Sequence, residues 1–95
     1  MNSVSLITGA SRGIGRGIAL ALASAGAHVT LTGRTEAKLV AVADEIRARF
    51  SHGDVLVVAG DVKDPRDIAR CVEDTVARFG TIDILVNNAQ EVPLG

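Results

Sequence analysis

The sequence predicts an α/β fold: a doubly wound parallel sheet cut down to four strands in the order 3-2-1-4, with three helices. Three observations carry that expectation. Short apolar or β-branched runs alternate with longer stretches at helical spacing; glycine, aspartate or asparagine turns bound the strand-like runs at their C-terminal ends; and a glycine-rich turn, Thr8-Gly9-Ala10-Ser11-Arg12-Gly13-Ile14-Gly15, separates the first run from the first helix. Connections of this kind are right-handed, which places the first two helices on one face of the sheet and the third on the other.

Residues 4–7 form β1, an apolar run of the kind expected in a central strand covered on both faces. Residues 14–25 form α1, with Ile14, Ile18, Ala21, Leu22 and Ala25 at helical spacing and Gly26 as the stop. Its alanines and Gly17 suit a helix that lies close on the sheet. His28, read as a surface residue at the strand entry, opens β2 over residues 29–32. Thr35 can cap α2, whose buried stripe is Leu39, Val42, Ala43, Ile46 and Phe50, with Gly53 ending it and Glu36, Lys38, Asp44, Glu45, Arg47 and Arg49 forming a solvated face. Residues 55–59 are β3, a wholly apolar run. Asp64-Pro65-x-Asp67 is a strong start for α3: a capping carboxylate, proline at the first helical position and an acidic first turn. Ile68, Cys71, Val72, Thr75, Val76 and Phe79 are its apolar stripe and Gly80 its end. Residues 82–86 are β4, leading into Asn87-Asn88-Ala89.

The glycine turn is where chemistry is expected. Glycine at 9, 13 and 15 lets the chain turn tightly and lets an oxygen-rich group approach the peptide units. A helix N-terminus offers unpaired N–H donors and about half a positive charge, so the expected guest is the pyrophosphate of a dinucleotide. The alternative, that these glycines only make a short strand-to-helix connection, is weakened by the surrounding β1-α1-β2 unit. In such a unit the residue that reads the ribose lies at the end of β2, about 20 positions on. Arg34 stands there. A carboxylate would accept from a ribose 2′-hydroxyl, whereas a guanidinium pairs with a 2′-phosphate, and Arg12 could reach the same phosphate from the loop. This favours NADP(H) over NAD(H); the alternative is that both arginines are solvated surface charges. Gly60-Asp61-Val62 falls at the C-terminal end of β3, the side where ligands bind, although a polar turn accounts for Asp61 equally well.

Together, Thr8 to Gly15, Asp61-Val62 and Asn87-Asn88-Ala89 resemble the short-chain dehydrogenase/reductase family, and the resemblance covers residues 3 to 89. It implies a Rossmann-type fold and a nicotinamide dinucleotide cofactor. It further implies that Gly9, Ser11, Arg12, Gly13, Ile14 and Gly15 border the cofactor, that basic residues at Arg12 and Arg34 go with NADP(H), that Asp61 and Val62 lie against the adenine, and that Asn88 and Ala89 border the ribose. The family has glycine after the alanine of that last motif; this chain has Gln90. The family's catalytic serine and its Tyr-x-x-x-Lys pair normally follow later in the chain. No tyrosine is present, so no residue is carried over as catalytic.

The other function classes are poorly supplied. With 95 residues, 47% hydrophobic, 22% charged and a net charge of −1, the chain reads as one soluble domain without an electrostatic footprint for nucleic acid or an anionic membrane. Two Phe and no Trp or Tyr leave no platform for stacking bases. No leader or membrane span is recognised, and a cytoplasmic setting is expected. Cys71, the single cysteine, is read as a small buried apolar residue, and neither it nor His52 belongs to a metal-ligand pattern. Two functions remain: the NADP(H)-binding half of a carbonyl or alcohol oxidoreductase, inactive alone, or a non-catalytic nucleotide-binding or interaction module. A serine followed by Tyr-x-x-x-Lys further along the reading frame would separate them. In either case the β4 edge is open, and self-association through it, or pairing with a C-terminal half, is expected.

Overall fold

A computed structural model describes residues 2–11 and 13–88. The elements are β1 (Val4–Thr8), α1 (Gly13–Ser24), β2 (His28–Gly33), α2 (Glu36–Arg49), β3 (Val55–Ala59), α3 (Pro65–Phe79) and β4 (Ile84–Val86). All strand pairs are parallel, in the order β3-β2-β1-β4. This is the expected Rossmann-type arrangement.

Alternation along the strands divides the interior into two unequal layers. Ile7, Val29, Leu31 and Val55 point to the side of α1 and α2, where they meet Ala19, Ala23, Leu39, Val42, Ala43 and Ile46 in the main core. Leu6 and Val58 point the other way, to Cys71 of α3, with Leu56 and Ile82 at the margin. The smaller layer is partly polar. Thr75 Oγ1 lies 2.7 Å from the Cys71 carbonyl and 3.0 Å from Thr30 Oγ1, so its one proton goes to the carbonyl and Thr30 donates to Thr75. Burial pushes the Cys71 thiol pKa up, against the hydrogen bonds of Thr32 and Thr75; the cysteine behaves as the small apolar residue expected.

Several expectations are corrected by packing. In α1 the buried positions are Gly15, Ala19 and Ala23, not the stripe of larger side chains. Ile14 is 73% exposed, Ala21 and Ala25 are exposed, and Ile18 and Leu22 are half-buried. The helix approaches the sheet through its smallest residues, and the bulky ones are displaced to its flanks. Thr35 holds the N-cap position of α2 in an extended conformation but makes no side-chain capping bond. That helix ends at Arg49, with the Phe50 N–H donating to the Ile46 carbonyl at 2.8 Å, ahead of Gly53. Glu45 is not solvated: it accepts from Arg16 of α1 at 2.6 Å and pairs with Arg49 of its own helix, which joins the two helices of the main layer.

His28 is more than a surface residue. Its Nδ1 accepts from the Asp54 N–H at 3.0 Å, and its ring stacks on Phe79 with centroids 4.8 Å apart. β4 begins at Ile84 instead of 82. The Val4 N–H is taken by the Asp83 carboxylate at 2.8 Å while the Asp83 N–H donates to the Val4 carbonyl at 2.9 Å. A side chain thus replaces the backbone acceptor at the strand entry, and Ile82 is left to pack beneath α3. The start and end of α3 are as expected: Asp64 accepts from the Arg66 N–H, Pro65 opens the helix, and Gly80 closes it.

Candidate functional site

A parallel sheet collects the C-terminal ends of its strands at one edge. Here that edge carries the Thr8-Gly9 turn from β1, Arg34 after β2, Asp61 and Val62 after β3, and Asn87 and Asn88 after β4. Four predicted segments, widely separated in sequence, therefore meet along one rim. Arg12 and Ala89, also expected at the cofactor, lie outside the described residues.

The glycines of the turn have different tasks. Gly9 and Gly13 take left-handed backbone conformations, with φ of 62° and 58°. A Cβ added at Gly13 would meet nothing within 4 Å, so space is open above the start of α1. The first turn of that helix holds no acidic side chain that would repel an anion from its N–H groups. Ile14 stands exposed beside this opening, and Ser11 is half-buried in the turn. Gly15 is the opposite case. A Cβ there would lie 2.2 Å from the Gly9 carbonyl oxygen and 2.7 Å from Asn88 Nδ2, so this glycine lets the helix, the turn and the end of β4 come together.

Thr8 and Asn88 tie the turn to the end of β4. The Thr8 hydroxyl oxygen accepts from the Asn88 N–H at 2.8 Å and lies 3.2 Å from Asn87 Oδ1, while Asn88 Nδ2 reaches the Gly9 carbonyl at 3.5 Å. The sequence reading missed this role of Thr8. The signal was present in the strand register: Ile7 pairs with Val86, which sets Thr8 beside Asn87.

On the other side of the rim, Arg34 and Asp61 are brought together by the β2–β3 ladder. Gly33 pairs with Ala59, and the Gly60 N–H donates to the Gly33 carbonyl at 2.8 Å. Beyond that bond Arg34 Nε lies 3.9 Å from Asp61 Oδ1, with the two side chains 58% and 44% exposed. Asp61 also forms the polar turn that the sequence left open: Oδ1 accepts from the Lys63 N–H at 2.9 Å, its N–H donates to Asp67 Oδ2 at 2.8 Å, and its carbonyl accepts from the Asp64 N–H at 2.9 Å. Val62 and Asp61 border a cavity of about 390 Å³, whose walls include Leu6, Thr32, Cys71 and Leu85. Among the described residues no group of three or more His, Cys, Asp or Glu side chains could hold a metal ion, and no helix is long and apolar enough to cross a membrane.

The sequence profile of the family described as short chain dehydrogenase matches residues 3–91. The chain belongs to that family. The residues on the rim suit the nicotinamide dinucleotide that short chain dehydrogenases bind. The left-handed Gly13 backbone leaves open space at the helix start, and the strand ends bring polar groups to the same edge. One similar protein is an 11-beta-hydroxysteroid dehydrogenase-like protein 4A of Arabidopsis thaliana, 48% identical over 86 residues, which are 90% of this chain and 28% of that protein. Among solved structures, L-sorbose reductase from Gluconobacter frateurii, in complex with NADPH and L-sorbose, superposes with a TM-score of 0.90 at 41% identity over 95% of this chain and 34% of the reductase. An NADPH dependent reductase involved in bacilysin biosynthesis gives a TM-score of 0.90 at 30% identity, again over 95% of this chain and 35% of its own. The chain thus spans about a third or less of the length of these short chain dehydrogenase relatives.

Proposed function

We propose that the chain is a half-domain, residues 1–95, that binds NADP(H) as the N-terminal part of a short-chain dehydrogenase/reductase oxidoreductase acting on a carbonyl or alcohol, and that it has no turnover alone. The observation that carries the cofactor choice is Arg34 at the end of β2, with its side chain 58% exposed on the rim of the site and no carboxylate at that sequence position. A guanidinium there matches a 2′-phosphate in charge and shape. The similar reductases that bind or depend on NADPH lend the same reading support.

Within that reading, Gly9, Gly13 and the N-terminal N–H groups of α1 hold the pyrophosphate, with Ser11 and Arg12 beside it. Ile14 covers the bound chain, Asp61 and Val62 border the adenine, and Asn88 and Ala89 border the adjoining ribose. When bound, the cofactor supplies or accepts the hydride. The proton donor belongs to residues other than these, since the chain contains no tyrosine. A cytoplasmic location goes with the proposal, supported by the single, buried thiol of Cys71.

Calorimetric titration with NADPH and NADH tests the assignment. A charge-assisted bidentate contact is worth roughly 1.5–3 kcal/mol, so NADPH binds on the order of tenfold to a hundredfold more tightly, and Arg34→Asp moves the preference toward NADH. Equal affinities in the unaltered chain sink it.

A second reading, self-association through β4, has its own observation. Leu85 is 64% exposed on the outer strand, and Ile84 is 38% exposed. Two β4 strands meeting antiparallel across a two-fold axis would cover both.

A further inference from the structure

We infer that Asp61 is a specificity-determining residue that restrains the 2′-phosphate preference by competing with that phosphate for Arg34. The inference rests on the NADP(H) reading above and deepens it. Its basis is the juxtaposition of a fixed carboxylate with a reaching guanidinium at the ends of neighbouring strands. The Gly33–Ala59 pairing and the Gly60-to-Gly33 hydrogen bond force Arg34 and Asp61 out of the same edge side by side.

Asp61 has little freedom to withdraw. Its Oδ1 is held by the Lys63 N–H, its own N–H by Asp67 and its carbonyl by the Asp64 N–H. Arg34 is carried on a long, half-exposed stem. At 3.9 Å the Nε–Oδ1 contact is Coulombic, beyond hydrogen-bond length. The Arg34 side chain is therefore drawn toward Asp61 by charge. A dianionic 2′-phosphate that takes up Arg34 draws it off the carboxylate. The lost ion pair opposes the phosphate, and a ribose that lacks the phosphate does not incur that loss.

The test compares 2′-phosphoadenosine 5′-phosphate with adenosine 5′-monophosphate, two probes that differ only in the 2′-phosphate, so any direct contact of Asp61 with adenine cancels in the ratio of their affinities. Asp61→Asn removes the charge and keeps an oxygen for the Lys63 N–H; Asp61→Ser, which keeps an acceptor by another route, is the second variant should the first fold poorly. At low salt either raises the ratio about twofold to fivefold, the range expected for an exposed ion pair, and the gain shrinks as salt is added. In an Arg34→Gln background the same change at Asp61 leaves the ratio unaltered. A ratio that stays constant or falls on substituting Asp61, with Arg34 present, overturns the inference while leaving the NADP(H) reading intact. An equal gain in both backgrounds overturns it too, because the carboxylate then repels the phosphate directly. If Arg34→Gln alone leaves the ratio unchanged, the NADP(H) reading falls and the inference falls with it.

Discussion

Gly13 and Gly15 are two positions apart, and substitutions at them should fail in different ways. At Gly15 an added methyl runs into the Gly9 carbonyl and the Asn88 amide, groups fixed by neighbouring strands. Gly15→Ala should therefore lower stability by about 2–3 kcal/mol, the upper range for forced overpacking, read as a reduced urea midpoint. At Gly13 the space is open and only the left-handed backbone objects, at roughly 1–2 kcal/mol. Gly13→Val should leave the far-UV circular dichroism nearly unchanged and abolish dinucleotide binding, because the side chain fills the opening above the helix start. Loss of both signals together would mean that Gly13 serves the turn alone. Ser5 is the converse case: its side chain is wholly buried in β1, and Oγ finds no hydrogen-bond partner among the described residues. Ser5→Ala should raise stability by about 1 kcal/mol by removing an unmet desolvation cost, with an unchanged dependence on urea concentration.

Helix α3 shows how much one element owes to its ends. Asp64 caps it, and the Arg66 side chain beside the carboxylate, with the Arg66 N–H, holds the Asp64 pKa below its ordinary 3.8. A carboxyl whose pKa is depressed on folding contributes stability that is complete above the unfolded value and is lost as pH falls through the folded one. Asp64→Asn keeps a capping oxygen but no charge. Its deficit relative to the unaltered chain should accordingly be largest at neutral pH and close as pH drops below 3.8; a deficit independent of pH would remove the charge from the account. This helix was readable in advance because its signals are local: aspartate, proline and glycine act on the backbone within a turn. The same holds for β1, β2 and β3 and for the stripe of α2, whereas the late start of β4 depends on the Asp83 side chain. What could not be read depended on partners. The burial of Gly15, Ala19 and Ala23 in place of Ile14 and Ile18 follows from how closely α1 lies on the sheet, and the engagement of Glu45 by Arg16 follows from the spacing of two helices. At the rim, the positions of Arg34, Asp61 and Asn88 were legible from strand ends. The tie made by Thr8 and the contact between Arg34 and Asp61 belong to strand register, which periodicity alone does not reveal.

On the scale of the molecule the two faces of the sheet are unequal. α1 and α2 cover one face, and α3 lies over β2 and β3 on the other, burying Cys71 and Thr75 while Ile68, Val72 and Val76 remain 39–43% exposed. Leu85 projects from β4 on the same side. An open strand edge next to uncovered apolar side chains favours association. Sedimentation at micromolar concentration should show a dimer that Leu85→Lys converts to monomer; a monomeric unaltered chain would dispose of the β4 pairing. One further property follows from Thr8 and Asn88, which are 80 residues apart in sequence and 2.8 Å apart in space. β1 can pair with β2 as soon as residue 33 has left the ribosome, yet the glycine turn still lacks the partner that holds it. The glycine turn is therefore among the earliest segments synthesised but is not tied down until Asn88 arrives, and a nascent chain shorter than 88 residues carries the whole glycine motif without that tie.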